Sequence, residues 1–204
     1  GSGKSHFAKI VSLLAENRVI ENVSACERFV SRLPPDSIRS ASIQRSLKRM
    51  DQCDTRVLAF NLNTLAASKT RELPELLLSQ YYLSRGYCNN LTYARVIEAE
   101  LDRQGKVEAL HSTFEQLSHK KWEDIRENPT FFRKHLFAAA SETAPDIFST
   151  PGDVEQALKE ADSGSIINVT FLIDTILEDI KRDEKANRKP QRFMWVMDET
   201  GQWI

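Results

Sequence analysis

The chain opens Gly1-Ser2-Gly3-Lys4-Ser5 and runs straight into His6-Phe7-Ala8-Lys9-Ile10-Val11-Ser12-Leu13-Leu14. Gly3, Lys4 and Ser5 fill the last three defined positions of the phosphate-loop pattern G-x-x-x-x-G-K-[ST], whose first glycine would fall before Gly1. The pattern constrains the fold because such a loop leaves a strand and opens a helix. A strand is therefore expected ahead of Gly1, and the sequence reads as an interior piece of a longer protein. Phe7, Ile10, Val11 and Leu14 recur at i, i+3, i+4 and i+7, which predicts a helix with that stripe as its apolar face.

Each residue type has a physical role in the pattern. Glycines let the backbone curl until N–H groups point at phosphate oxygens, and the helix adds its positive dipole end. Gly1, Ser2 and Gly3 would form the cradle, Lys4 would reach the β- and γ-phosphates, and Ser5 would place its hydroxyl on Mg²⁺. Gly-Ser-Gly is also what a cloning junction leaves behind. The opening therefore gains its weight from a partner motif at the other end.

That partner is Phe193-Met194-Trp195-Val196-Met197-Asp198-Glu199, which follows the basic loop Arg188-Lys189-Pro190-Gln191-Arg192. Five apolar residues in a row predict a strand buried on both faces of a parallel sheet. Its carboxylates fall at the carboxyl end of the strand, where open α/β sheets bind ligands. In a Walker B motif Asp198 would hold Mg²⁺ and Glu199 would orient the attacking water. The two motifs stand at opposite ends of 204 residues, farther apart than a β-α-β unit requires, so a sizeable insertion is expected between them.

Thr55 to Asn63 reads as a second strand, Arg56 to Leu62, beside the Walker B strand in one parallel sheet. Asp36 is placed to cap a short helix through Leu47 after Pro34-Pro35. From Glu72 the pattern turns helical. One helix contains 75–83 and ends near Gly86, a second spans Thr92 to Arg103, and a third spans Lys106 to Ser118. Trp122, Ile125, Phe131, Phe132, Leu136 and Phe137 are candidate apolar anchors. Thr150-Pro151-Gly152-Asp153 reads as a helix start, and Asn168 opens a helix whose Phe171, Ile173, Ile176, Leu177 and Ile180 share a broad face. These elements divide the chain into an NTPase part at 1–68, a helical insertion at 69–187 and the Walker B strand at 188–204.

The net charge of −1 gives no global argument for nucleic acid or membrane binding. No run approaches the eighteen or so apolar residues of a membrane span. Cys26, Cys53 and Cys88 lack disulfide-framework and zinc-ligand spacing, as expected for reduced cytoplasmic thiols. His6, His111, His119 and His135 form no metal-ligand pair and are expected on or near the surface of helices.

The segments GSGKSHFAKIVSLL, VLAFNLNT, SRGYCNN, KKWEDIRENP and MWVMDETGQWI together resemble the BrxC/PglY group of large P-loop ATPases from bacteriophage-exclusion (BREX) defence systems. The resemblance implies an α/β fold: a partial AAA+-like P-loop NTPase parallel sheet with a large, mostly helical insertion between Walker A and Walker B. It further implies ATP and Mg²⁺ as cofactors, other defence-system subunits as partners, a homo-oligomer in the full-length form and a cytoplasmic location. DNA contact is possible in such an assembly. On this resemblance Gly3, Lys4 and Ser5 bind phosphate and magnesium, Asp198 and Glu199 serve magnesium and water, and Gln202 contacts nucleotide or senses its state. The later strands, a sensor and an arginine finger lie outside the sequence, so this piece alone is expected to be inactive. Two alternatives stay open: a nucleotide-gated assembly switch without important turnover, and a helical protein-interaction module with no nucleotide site.

Overall fold

The computed structural model of the chain describes residues 3–61, 72–164 and 166–198. These residues are mostly helical, with two two-stranded sheets. This corrects the expected fold class. One parallel pair is present, but the extended parallel sheet of a P-loop NTPase core is not found among the described residues. The chain divides into two units, Gly1–Thr70 with Ile173–Ile204, and Arg71–Leu172.

In the first unit, α1 covers Lys4–Glu16, followed by the hairpin β1 (Val19–Ile20) and β2 (Val23–Ser24). Glu21 and Asn22, the two residues of its loop, both adopt positive φ, 51° and 64°. This is the turn geometry that matches the twist of a tight hairpin. Ser24 then caps α2 (Ala25–Val30) in a capping box: the Glu27 N–H donates to Ser24 Oγ at 3.2 Å, and the Ser24 N–H donates to the Glu27 carboxylate at 2.9 Å. Helix α3 covers Ile38–Met50 and starts from Ser37, not Asp36, without a side-chain cap.

Strands β3 (Asp54–Asn61) and β4 (Gln191–Asp198) pair in parallel, from Asp54 opposite Gln191 to Asn61 opposite Asp198. The expected pairing of these two segments is therefore present. The expected burial is not. Val57 is the one buried residue of β3, Phe193 to Val196 are half-buried, and Met197 is exposed. Parallel strands become buried on both faces when neighbouring strands and helices cover them, and among the described residues this pair has few such neighbours. Trp195 is held by edge contacts with Phe60 across the pair and with Phe193 on its own strand, at centroid distances of 5.8 and 4.9 Å.

The second unit is helical. It contains α4 (Leu73–Ser84), α5 (Leu91–Tyr93) continuing through a π-helical turn (Ala94–Glu98) into α6 (Ala99–Arg103), α7 (Val107–Ser118), α8 (Trp122–Ile125), a 3₁₀ turn (Pro129–Phe132), α9 (Arg133–Thr143) and α10 (Pro151–Gly164). Gly86 and Gly105, at φ +89° and +68°, stop helices in the left-handed conformation that glycine adopts without a Cβ penalty. Leu110 and Phe114 of α7 pack against Leu136, Ala139 and Ala140 of α9, all fully buried, the two alanines letting the helices approach closely. Trp122, Leu136 and Phe137 are buried as expected, whereas Phe131 is 87% exposed and anchors nothing. Thr150 and Asp153 exchange hydrogen bonds at the start of α10, as the sequence indicated.

Helix α11 (Val169–Asn187) begins where Asn168 accepts from the Phe171 N–H at 2.9 Å. It buries Leu172, Thr175, Ile176 and Asp179, while Ile173 and Leu177 of the expected apolar face are exposed. Among the described residues, no helix is long and apolar enough to cross a membrane.

Candidate functional site

Helix α1 decides where the front motif lies. Its last turn sits at the start of the parallel pair: Asn17 Nδ2 donates to Asp51 at 2.9 Å, and the Val57 N–H donates to Glu16 Oε1 at 3.3 Å. Ala15 and Glu16 also share a cavity of about 320 Å³ with Asp54, Thr55 and Lys189, the residues that begin β3 and precede β4. At about 1.5 Å per residue α1 is ~20 Å long, shorter than the ~26 Å of an eight-residue strand. The helix packs along β3 and touches β4. A helix anchored at the strand starts and packed along β3 would carry Lys4 and Ser5 toward the strand ends, where Asn61 pairs with Asp198.

The face α1 buries is small: Ser12 and Ala15 are buried, and Ser5 and Ala8 are half-buried. Ser12 Oγ donates back to the Ala8 carbonyl at 2.9 Å, which satisfies the hydroxyl inside the contact. This face is rotated by about a third of a turn from the stripe predicted from the sequence. Phe7 is 68% exposed, while Ile10 and Leu14 line a groove of about 450 Å³ with Phe29 and Leu33. Close approach of a helix to a strand pair selects small side chains at the centre of the contact, and Ile10, Val11 and Leu14 of the stripe are left half-buried.

The first turn of α1 suits an anion. Gly3 is its N-cap without a side-chain hydrogen bond, and the Phe7 N–H is the first to reach a helical carbonyl, that of Gly3. The N–H groups of Lys4, Ser5 and His6 have no intrahelical acceptor, and no carboxylate stands in the first turn. Lys4 is exposed and Ser5 half-buried. Gly3 itself has φ −61°, and a Cβ there would meet nothing within 4 Å, so neither backbone nor crowding demands glycine.

The structure fixes the last turn of α1 at the start of the parallel pair, the end opposite Asp198. Gly1, Ser2, Glu199 and Gln202 lie outside the described residues. Among the described residues no group of three His, Cys, Asp or Glu side chains could hold a metal. A serine hydroxyl and a carboxylate nonetheless fit Mg²⁺, which takes hard oxygen donors and is bound through one or two carboxylates plus substrate phosphates.

A polar cluster that the sequence did not reveal lies in the second unit. Glu98, fully buried at the end of the π-turn, accepts from the Cys88 N–H at 2.7 Å and pairs with His111 Nε2 at 2.9 Å. The His111 ring stacks on Trp122, with centroids 4.7 Å apart. Cys, His and Glu together invite a nucleophile reading, which the environment opposes. Burial first, then the Glu98 charge, push the Cys88 thiol well above its ordinary range, and only 1% of the residue is exposed. Close by, Asp102 accepts from Arg85 at 2.9 Å and from the Tyr87 hydroxyl at 2.6 Å, and burial followed by the Asp102 hydrogen bond drives that phenol far upward. A π-turn leaves no periodic trace that a 3.6-residue pattern would detect.

No family model matches the chain, and no solved structure matches it.

Proposed function

We propose that this chain binds a magnesium–nucleoside triphosphate between the first turn of α1 and the end of β4. The observation that supports the reading is the attachment of the last turn of α1 at the start of the strand pair, from which the helix would bring Lys4 and Ser5 toward the strand end of Asp198. The N–H groups of the first turn would hold the phosphate oxygens, Lys4 would neutralise the terminal phosphates, and Ser5 with Asp198 would hold magnesium. Close approach of phosphate to the backbone would then be what requires glycine at Gly3. When bound, magnesium offsets the charge that builds on the phosphate oxygens. Glu199, the next residue, is the candidate to orient water for hydrolysis. ATP as the nucleotide and phage defence as the setting rest on the resemblance to the BrxC/PglY group.

The test is calorimetric titration of the full-length protein with MgATP. Lys4→Ala abolishes the binding heat, and Glu199→Gln keeps binding while stopping phosphate release. Equal affinity in the wild type and the Lys4 variant overturns the assignment. The second unit, with its own buried core, favours one competitor: a helical interaction module without a nucleotide site. That competitor predicts no heat from MgATP in any variant.

A further inference from the structure

Helix α3 carries a charge pattern that its own stability does not explain. Between residues 25 and 50 the chain has six cations against two carboxylates, although the whole protein is at −1. Four of those cations, Arg39, Arg45, Lys48 and Arg49, are on α3, and all four are exposed. The helix contains no acidic residue. Among the described residues none of the four makes an ion pair, and the contact recorded for Arg45 is to its own helix, Nε to the Ala41 carbonyl at 3.4 Å. The nearby carboxylates of Glu27 and Asp51 are engaged in the α2 capping box and with Asn17.

The arrangement is directional. α3 buries Ser40 and Leu47 and half-buries Gln44. At about 100° per residue, the opposite face presents Ser42, Arg45, Ser46 and Arg49 in one strip, with Arg39 and Lys48 flanking it. Lys48 and Arg49 suit the negative end of the helix dipole, but Arg39 stands in the first turn, where the dipole disfavours a cation. Arg45 and Arg49, four residues apart, repel each other as a like-charge pair. Local helix energetics therefore oppose half of this pattern.

We propose that the outward face of α3 is a docking surface for the sugar-phosphate backbone of duplex nucleic acid. Arginine, lysine and serine are the side chains that make backbone contacts, and these contacts position a duplex without reading its sequence. The face has no exposed aromatic residue on which unpaired bases could stack, which disfavours a single strand. Its large apolar residues are limited to Ile38 and Ile43, too few for a helix that lies in a lipid interface.

Four engaged phosphates give a slope of about −3.6 for log affinity against log salt, or about a hundred-fold weaker binding between 50 and 200 mM salt. The test is fluorescence anisotropy of the whole chain against a labelled 30-base-pair DNA duplex over that salt range. In R45Q/R49Q, which keeps helix-forming residues at exposed positions, the slope becomes shallower by about 1.8. Far-ultraviolet circular dichroism checks that the helix persists. Absence of duplex binding at 50 mM salt overturns the proposal, as does binding with an unchanged slope in the double variant. Equal, salt-sensitive binding to phosphatidylserine vesicles also overturns it, in favour of a membrane surface.

Discussion

Replacing Glu98 gives a graded prediction, because its carboxylate is fully buried and holds two elements at once. It accepts from the Cys88 N–H of the loop after α4 and pairs with His111 of α7. Glu98→Gln keeps the shape and one acceptor oxygen for Cys88 but exchanges a charge-assisted contact for a neutral one, a loss of about 1–2 kcal/mol. Glu98→Ala strands the buried N–H and the imidazole partner and also opens a void, for about 3–5 kcal/mol. Urea unfolding followed by tryptophan emission reports the effect, because Trp122 lies in this unit and stacks directly on His111, while Trp195 lies in the other. The alanine variant should shift the Trp122 midpoint at least twice as far as the glutamine variant, with a similar slope. Equal shifts, or an alanine cost below about 1 kcal/mol, would show that Glu98 does not hold the loop to α7.

At the start of the parallel pair, hydrogen bonds from Lys189 and then Gln191 keep the Asp54 carboxyl below its ordinary range. Its stabilisation is present above the unfolded carboxyl pKa of about 3.9 and is lost as pH falls through the lower folded value, so the wild-type advantage over Asp54→Asn in urea midpoint should shrink only in acid. The same contact raises the Lys189 ammonium, so that share persists below about pH 10.4 and disappears as pH rises further. Thr150→Ala removes the cap of α10 and should cost about 1 kcal/mol, read as a lower melting temperature by circular dichroism, whereas Thr150→Ser should be near neutral. Amide exchange at Leu101, Leu110 and Leu136 should be slower than across β3 and β4, whose side chains are mostly half-exposed. Equal protection in the two units would contradict the burial pattern.

Local chemistry made most helix ends legible. Gly86 and Gly105 end helices because a left-handed residue was needed, and Thr150 with Asp153 starts one because two groups three residues apart satisfy each other. Asp36 was a poorer guide, since Ser37 precedes α3 and no side chain caps it. Phe131 and the Ile173–Leu177 pair show the limit of hydrophobicity as a guide to burial. An apolar side chain is buried only where a neighbour arrives, and that depends on tertiary packing. The π-turn at 94–98 escaped for a related reason: it places Glu98 inward by interrupting the very period used to find helices.

For the candidate site, residue types were legible and the packing face was not. The direction of α1 follows from where its last turn attaches, through Asn17 to Asp51 and Glu16 to Val57, contacts across more than thirty residues that no local pattern encodes. β3 and β4 are more distant still, joined across the whole second unit. A parallel pair closed over such a span must offset a large loop entropy, and an ordered helical unit within the span removes part of that cost by folding on local contacts. The apolar run before Asp198 signalled a strand and its partner correctly. Its composition could not show how many neighbours would cover that strand, and this is where the expectation of an extended sheet failed.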